Sequence, residues 1–175
     1  MNRFKELFES DMHRYGPKGA KGYSRKFSYY FRKASTCKNK LLRLYYSHRF
    51  ERVCEKHGIE IPRDTVIGKG LYLGHPYHIT INKKSILGDN INIHKGVTIG
   101  QENRGPRKGT PTIRNCVWIG INATVVGNIT VGEDGLIAPN SYVNCDVPSH
   151  SVVVGNPCRI IPREYATEHY LNHLV

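Results

Sequence analysis

The 175-residue sequence lacks the motifs of several large enzyme classes. It has no glycine-rich phosphate loop of the P-loop or dinucleotide-binding type, no Ser-His-Asp order and no zinc-finger spacing. Its five cysteines are scattered and form no Cys-x-x-Cys pair, which excludes a disulfide framework and favours a reduced compartment. No apolar run is long enough to span a bilayer. The length fits one core with a small appendage.

Acidic residues are also scarce, since 26 Lys and Arg face 14 Asp and Glu for a formal net charge of +12. The excess lies in the first 57 residues, which contain 15 basic and five acidic residues. Such a surface is either a solvated helical face or a peripheral contact with an anionic membrane surface. Residues 1–11 carry acids where a signal peptide has an apolar run. We therefore expect a cytoplasmic protein that can contact the inner membrane face, and no nucleic-acid partner.

What the sequence does contain is a six-residue repeat between Ile61 and Ile160, in which an aliphatic residue recurs and glycine often follows it. This period is typical of a parallel β-helix, because each unit forms a short strand and a turn, and three units close a coil of about 18 residues. The aliphatic side chains point inward and stack at the strand spacing of about 4.8 Å. We predict a mainly β fold, a parallel β-helix of about five coils with a small N-terminal α-helical region.

Counting in sixes, with a two-residue excess at Lys83-Lys84, assigns every inward residue to one of three faces. The expected stacks are Ile61, Ile79, Ile99, Val125 and Val143 on the first face; Ile67, Leu87, Ile113, Val131 and Ser149 on the second; Leu73, Ile93, Ile119, Ile137 and Gly155 on the third.

The chain before the repeat has helical periodicity. Apolar residues recur at helical spacing over residues 3–15 and again over 23–57, with a break near Ser35–Asn39. We expect these helices to cover the open first coil, whose strand edges would otherwise be unpaired. The predicted organisation is therefore a helical region at 1–58, a β-helix domain at 59–160 with a protruding loop at 101–112, and a C-terminal tail at 161–175.

Matching strings then carry a resemblance. They are Ile67–His75, Gly88–Gly100, Val125–Gly132 and Val152–Ile160. Through these strings residues 59–160 resemble the hexapeptide-repeat acyltransferases, in the branch of serine acetyltransferases and polysaccharide O-acetyltransferases. The string Ser10–Tyr15 also resembles the start of polysaccharide-cluster members. The resemblance implies a left-handed β-helix, a homotrimer with active sites between subunits, and acetyl-CoA as the acetyl donor.

The resemblance also implies roles for individual residues. His75 matches the general base, and Glu60 falls where the serine acetyltransferases have an aspartate that orients that base. The implied donor-binding residues line the pantetheine channel or meet the phosphates of CoA: Gly100, Arg107, Lys108, Gly120, Ile121 and Arg159. The expected acceptor-binding residues are Tyr77, Asn82, His94 and Thr110.

Three departures from the serine acetyltransferase pattern concern the acceptor. Thr110 and Gly109 replace a second histidine and a carboxylate-binding arginine, and Gly74 replaces an aspartate. These departures disfavour L-serine. We predict an acetyl-CoA-dependent O-acetyltransferase that acts on a sugar hydroxyl of a capsular, exopolysaccharide or lipid-linked glycan.

Two alternatives stay open. One is a serine O-acetyltransferase with an altered pocket. The other is a metal-dependent hydratase that resembles the γ-class carbonic anhydrases, with His75, His78 and His94 as ligands. The register disfavours the second alternative, because Lys95 rather than His94 is expected to stack on His75. We therefore expect no metal.

Overall fold

The computed structural model describes residues 3–175, in which three helices precede a stack of short strands. The helices are α1 (Arg3–His13), α2 (Gly22–Thr36) and α3 (Lys40–Glu55). The predicted break between the second and third helices is confirmed. It has a local cause, since the Asn39 side chain caps α3 by accepting a hydrogen bond from the Leu42 N–H at 3.1 Å. Within residues 3–175 no helix is long and apolar enough to cross a membrane.

Short parallel strands follow and form three sheets. In chain order they are β1 (Val66–Ile67), β2 (Tyr72–Gly74), β3 (Thr80–Ile81), β4 (Ile86–Leu87), β5 (Asn92–His94), β6 (Thr98–Gly100), β7 (Thr112–Ile113), β8 (Trp118–Ile119), β9 (Thr124–Val126), β10 (Thr130–Val131), β11 (Gly135–Ile137), β12 (Tyr142–Val143), β13 (Ser151–Val154) and β14 (Arg159–Pro162). The sheet orders are β1-β4-β7-β10, β3-β6-β9-β12 and β2-β5-β8-β11-β13-β14. Only the last pair, β13 with β14, is antiparallel among these strands of residues 3–175.

The mainly β fold with a small N-terminal helical part is confirmed. Each strand turns one aliphatic side chain inward, and those of Ile93, Ile99 and Ile119 are fully buried. Burying one such side chain stabilises the fold by about 1.5–3 kcal/mol. The buried apolar side chains form one cluster from Phe27 and Phe50 of the helices to the last coil, so the helices and the β-helix share one core.

The predicted stacking is wrong at one early position. The residue paired with Ile99 is Ile81, and Ile79 lies at the buried corner before it. Ile81 follows Leu73 by eight positions instead of six, so the two extra residues lie before β3 and not at Lys83-Lys84. Both isoleucines are buried, which is why the apolar pattern alone did not distinguish them.

The last coil is two residues shorter than the repeat predicts. Val131 pairs with Val147 instead of Ser149, and Ile137 pairs with Val153 instead of Gly155. The Asp146 carboxylate compensates in the shortened turn by accepting the Thr130 N–H at 2.7 Å, a hydrogen bond that the next coil would otherwise supply.

A buried ion pair joins the helices to the first coil, as the expected covering role requires. Arg32 donates two hydrogen bonds to the Asp11 carboxylate at 2.8 and 2.9 Å, and both side chains are almost fully buried. Arg32 also donates to the carbonyls of Ile67 and Gly68. Asp11 also accepts the Leu71 N–H at 2.9 Å. Side chains from α1 and α2 therefore satisfy backbone groups at the open edge of β1 and β2.

Two further residues after α1 complete this edge. Arg14 donates to the Gly70 carbonyl and to the Asn92 side chain, both at 2.7 Å. The Tyr15 hydroxyl accepts the Leu73 N–H at 2.9 Å. Burial raises the pKa of Tyr15 to about 12, so the hydroxyl stays neutral.

The C-terminal tail runs back along the outside of the β2–β13 sheet. Asp134 accepts the N–H groups of Ala166 and Thr167 at 2.9 Å, which anchors the start of the tail. At its far end Val175 exchanges two hydrogen bonds with the Asn90 side chain. The tail thus spans from the fourth coil down to the second.

We expect Asp11→Asn to lower the free energy of unfolding by about 3 kcal/mol, because the Arg32 guanidinium then stays buried without a counter-charge. Urea denaturation measures the change. The control is Glu9→Gln, which removes an exposed carboxylate of the same helix that lies 3.8 Å from Lys5. The control should change stability by less than about 0.5 kcal/mol. Equal effects of the two substitutions would contradict the structural role of the buried pair.

Candidate active site

The two extra residues of the first coil form an exposed corner between β2 and β3. His75 and His78 adopt left-handed backbone conformations there, with φ of 51° and 53°. Both histidines and Tyr77 are exposed. The corner rests on the end of α3, because the Tyr77 ring lies 4.7 Å from the His57 ring and the His78 N–H donates to the His57 carbonyl at 2.9 Å. The His75 imidazole therefore stands on a bent segment whose neighbouring residues, Tyr77 and His78, contact His57.

Glu60 lies beside the strand that follows this corner. Its backbone pairs with Thr80. The Glu60 N–H donates to the Ile79 carbonyl, and the Glu60 carbonyl accepts the Ile81 N–H, both at 2.8 Å. Its side chain is exposed and lines a groove of about 700 Å³ together with Asn82. Among the described residues no hydrogen bond joins the carboxylate of Glu60 to an imidazole. The predicted orienting contact with His75 thus stays a prediction.

His94 lies on the strand next to the His75 corner. Its backbone pairs with Gly74, and its ring fills the space in which a side chain at position 74 would stand, since a Cβ there would come within 2.5 Å of the ring. Burial, with a smaller effect of His75, lowers the pKa of His94, so its imidazole is neutral at pH 7. Its buried Nε2 has no hydrogen-bond partner within residues 3–175. The glycine at 74 and the histidine at 94 therefore form one compact unit.

An aromatic cavity of about 300 Å³ opens beside His94. The Trp118 ring lies 4.8 Å from the His94 ring, and Tyr170 of the tail packs on the indole at 5.0 Å. Arg14 and Asn92 supply polar groups to the cavity wall. A small molecule with a polar end could bind in this space beside His94.

The loop predicted to protrude forms a second cluster. It is a hairpin closed by a bridge between Glu102 and Gly109. Arg107 donates to the Asn144 carbonyl, and its own carbonyl accepts the Asn128 N–H. These contacts hold the loop against the turns that follow β9 and β12. Its basic groups are exposed and available to anions.

The remaining predicted residues divide between two corners of the β-helix, the His75 corner and the corner that carries the hairpin. Gly100, Asn82 and Thr110 lie with the loop: the Asn82 side chain bonds Gln101, and the Thr110 hydroxyl donates to the Lys84 carbonyl at 3.1 Å. Lys108 is exposed in the same hairpin, whereas Gly120 and Ile121 lie above the His75 corner. Arg159 is exposed on β14, at the end of the stack. The structure does not bring these residues into one pocket.

One sheet face separates the two corners of a single chain. The outward residues on β3, β6 and β9 are the paired threonines Thr80, Thr98 and Thr124. Strands of two or three residues place the corners about 10 Å apart. Within one chain the His75 corner and the basic hairpin therefore lie at opposite edges of this face.

The described part of the chain shows no grouping that would hold a metal ion. Within residues 3–175 no three side chains of the His, Cys, Asp and Glu types come together in a suitable way. The register of His94 with Gly74 aligns Lys95 with His75, as predicted. The histidines of the first two coils therefore give no support to the hydratase alternative.

Several residues near the site were not identified from the sequence as binding residues. Trp118 and Tyr170 line the cavity but are 52 positions apart in the chain, and only the return of the tail brings them together. Arg14 and Tyr15 were noted only as part of a matching string. No sequence signal marked these residues, because the burial of Arg14 and the return of the tail follow from contacts between distant segments.

Comparisons with known proteins indicate relatives over the β-helix. No protein-family model matches the chain. The chain is 38% identical over 110 residues to serine acetyltransferase 4 of Arabidopsis thaliana. It is also 38% identical over 116 residues to the serine acetyltransferase of Synechococcus elongatus. The alignments cover 63% and 66% of this chain but only 31% and 48% of the relatives. The chain thus spans from just under a third to about half of the length of these curated relatives.

Solved structures agree with these relatives over a longer stretch. The serine acetyltransferase of Neisseria gonorrhoeae in complex with serine has a TM-score of 0.68 at 28% identity, covering 90% of this chain and 69% of that one. The serine acetyltransferase of Brucella abortus in complex with coenzyme A has a TM-score of 0.73 at 26% identity, covering 92% and 67%. The likeness therefore includes the N-terminal helices, which the sequence alignments do not reach in full.

The predicted polysaccharide O-acetyltransferase is contradicted by these comparisons. Relatives at 36–38% identity and structures covering about nine tenths of the chain are serine acetyltransferases. The prediction relied on the replacements at Gly74, Gly109 and Thr110, which alter the acceptor site and do not by themselves identify a sugar. Over its β-helix the chain is similar to serine acetyltransferases, and its fold is a left-handed parallel β-helix of hexapeptide repeats.

Proposed function

We propose that this protein is an acetyl-CoA-dependent O-acetyltransferase whose acceptor is the hydroxyl of L-serine. The observation that carries the proposal is the exposed His75 corner, which lies in a β-helix 38% identical to serine acetyltransferases. The solved relatives with serine and with coenzyme A name both substrates for proteins of the same fold.

In the proposed reaction His75 accepts the proton of the serine hydroxyl. The oxygen then attacks the thioester carbon, a C–O bond forms, and the C–S bond to CoA breaks. The imidazolium returns its proton to the CoA thiolate, so that the base is regenerated. A backbone N–H stabilises the oxyanion that develops on the thioester carbonyl. Glu60 acts as a positioning residue that orients the imidazole.

The donor fits the second corner. Arg107 and Lys108 of the hairpin supply cationic groups for the phosphates of CoA, and Gly100 allows close approach of the carrier. The threonine face next to the hairpin offers hydroxyls to the amides of the pantetheine arm, whose thioester end reaches the His75 corner of a neighbouring chain in this proposal. Arg159 lies farther away and is assigned to the phosphates only in an assembled oligomer.

The acceptor fits the side of the corner that faces the aromatic cavity. His94 is neutral there, because burial lowers its pKa, and its Nε2 lacks a partner among the described residues. We assign this atom to a polar group of the acceptor, in place of the aspartate that position 74 lacks. Tyr77 of the same corner is assigned to this acceptor as well. Asn82 and Thr110 lie with the hairpin, so we assign them to an acceptor bound at the His75 corner of a neighbouring chain.

A homotrimer completes the site in this proposal. Flat sheet faces can pack around a threefold axis, which would bring the hairpin of one chain towards the His75 corner of the next. The separation of the two corners within one chain supports this arrangement, since donor and base then meet between subunits.

We expect His75→Ala to lower kcat by about 100-fold or more, because no other group then takes the hydroxyl proton. Thiol release from acetyl-CoA in the presence of L-serine measures the rate. His169→Ala is the control, since that side chain is 90% exposed on the tail. Near-normal turnover by a folded His75→Ala protein would contradict the mechanism.

Glu60→Gln should lower kcat by about tenfold with little change in KM, because it disturbs orientation and not binding. Glu60→Asp keeps a carboxylate and should therefore retain a higher kcat than Glu60→Gln. If Glu60→Gln raised KM instead, Glu60 would be an acceptor-binding residue.

His94→Phe should raise KM for the acceptor by about tenfold, the effect of losing one hydrogen bond of about 1.4 kcal/mol. The phenyl ring keeps the packing against Trp118. KM for acetyl-CoA should not change, so initial rates at varied acceptor and varied donor separate the two. An equal rise in both constants would indicate a general disturbance of the corner.

Light scattering should give the mass of three chains. A monomer with full activity would contradict a site built between subunits. An inactive monomer at low concentration that gains activity on association would support it.

A further inference from the structure

The first two turns of α3 extend away from the rest of the protein. All of residues 38–45, here called the α3 tip, are exposed. The side chains that anchor this helix to the core, Ser47, Phe50 and Cys54, all lie beyond the tip. Four large apolar side chains therefore lie in solvent, namely Leu41, Leu42, Leu44 and Tyr45, with exposures of 78%, 50%, 61% and 54%. An apolar group of this size indicates a binding surface.

The charge of the α3 tip is of one sign. Lys38, Lys40 and Arg43 surround the leucines, and the first acid on the helix is Glu51. The positive end of the helix dipole adds to this charge, so cations here destabilise the helix by about 0.3–1 kcal/mol each. Asn39 offsets part of that cost as the N-cap. The helix thus keeps an electrostatically unfavourable arrangement that attracts anions.

This combination favours one occupant over others. A second copy docked tip to tip would bring two sets of cations together, and like charges oppose that contact. A nucleic acid would use the cations but leave the leucines in water. An anionic lipid surface satisfies both, because its head groups pair with lysine and arginine while its acyl boundary receives leucine and tyrosine side chains.

We propose that the α3 tip is a docking site for an anionic lipid bilayer. The leucines insert at the boundary between head groups and acyl chains, and the three cations hold the anionic head groups around them. The contact is peripheral and reversible, since a single short helix end carries it. It is independent of the proposed acetyl transfer.

The test is co-sedimentation with vesicles of phosphatidylglycerol and phosphatidylcholine, compared with phosphatidylcholine alone, at low and high salt. The wild-type chain should bind the anionic vesicles at low salt and be released at high salt. Replacing Lys38, Lys40 and Arg43 by glutamine should weaken binding by about 100-fold, as about 1 kcal/mol per cation implies. Replacing Leu41, Leu42 and Leu44 by serine should weaken it by at least tenfold even at low salt.

A matched control removes three exposed cations elsewhere, through Lys18→Gln, Arg114→Gln and Arg163→Gln. It lowers the net charge equally and should bind nearly as the wild type does. Equal loss in the control would overturn the proposal in favour of diffuse charge attraction. Unchanged binding of the serine variant, or equal wild-type binding to neutral vesicles, would overturn it as well.

Light scattering of the variant with Leu41, Leu42 and Leu44 replaced by serine tests the last alternative, in which the α3 tip contacts another copy of this chain. The wild-type mass should be retained. A smaller assembly would identify the α3 tip as a contact between copies of this chain and overturn the lipid proposal.

Discussion

Every coil must present an aliphatic side chain to the same point of the interior, because each inward residue packs on the one above and the one below. A shift of one residue would turn the inward side chain outwards. The chain therefore keeps its register through the middle coils, with Leu73, Ile93, Ile119, Ile137 and Val153 forming one continuous row. Changes in coil length are tolerated only at the turns.

The site arises from this constraint. Two residues are added at the corner of His75, where the chain leaves the regular path without disturbing Ile81. A longer addition after Gly100 produces the hairpin with Arg107. The shortened turn at Asp146 contacts that hairpin through the hydrogen bond of Arg107 to the Asn144 carbonyl, and a carboxylate replaces the missing backbone acceptor. The interior stays uniform while the exposed corners vary, so reactive groups and anion-binding groups can be added at little cost to stability.

The sequence was sufficient for what the repeat itself determines. The mainly β fold, the helix break before α3 and most of the stacks followed from apolar periodicity. The extra residues were assigned to Lys83-Lys84 because Ile79 and Ile81 are both isoleucines and both buried. The Asp11–Arg32 pair and the cavity at Trp118 depend on contacts between distant segments, which no local pattern records. The acceptor was mispredicted because absent side chains were read as evidence for a sugar.

The returning tail changes how the stack responds to opening. In a simple solenoid each coil contacts only its neighbours, so the two ends unravel separately. Here Asn172 accepts a hydrogen bond from Arg14, 158 residues earlier in the chain, and the rings of His13 and His173 lie 6.0 Å apart. The first coil therefore cannot loosen without releasing the segment that crosses the later ones. The tail therefore couples the coils, so that they unfold together. Opening of either end then requires unfolding of a larger part of the protein than one coil.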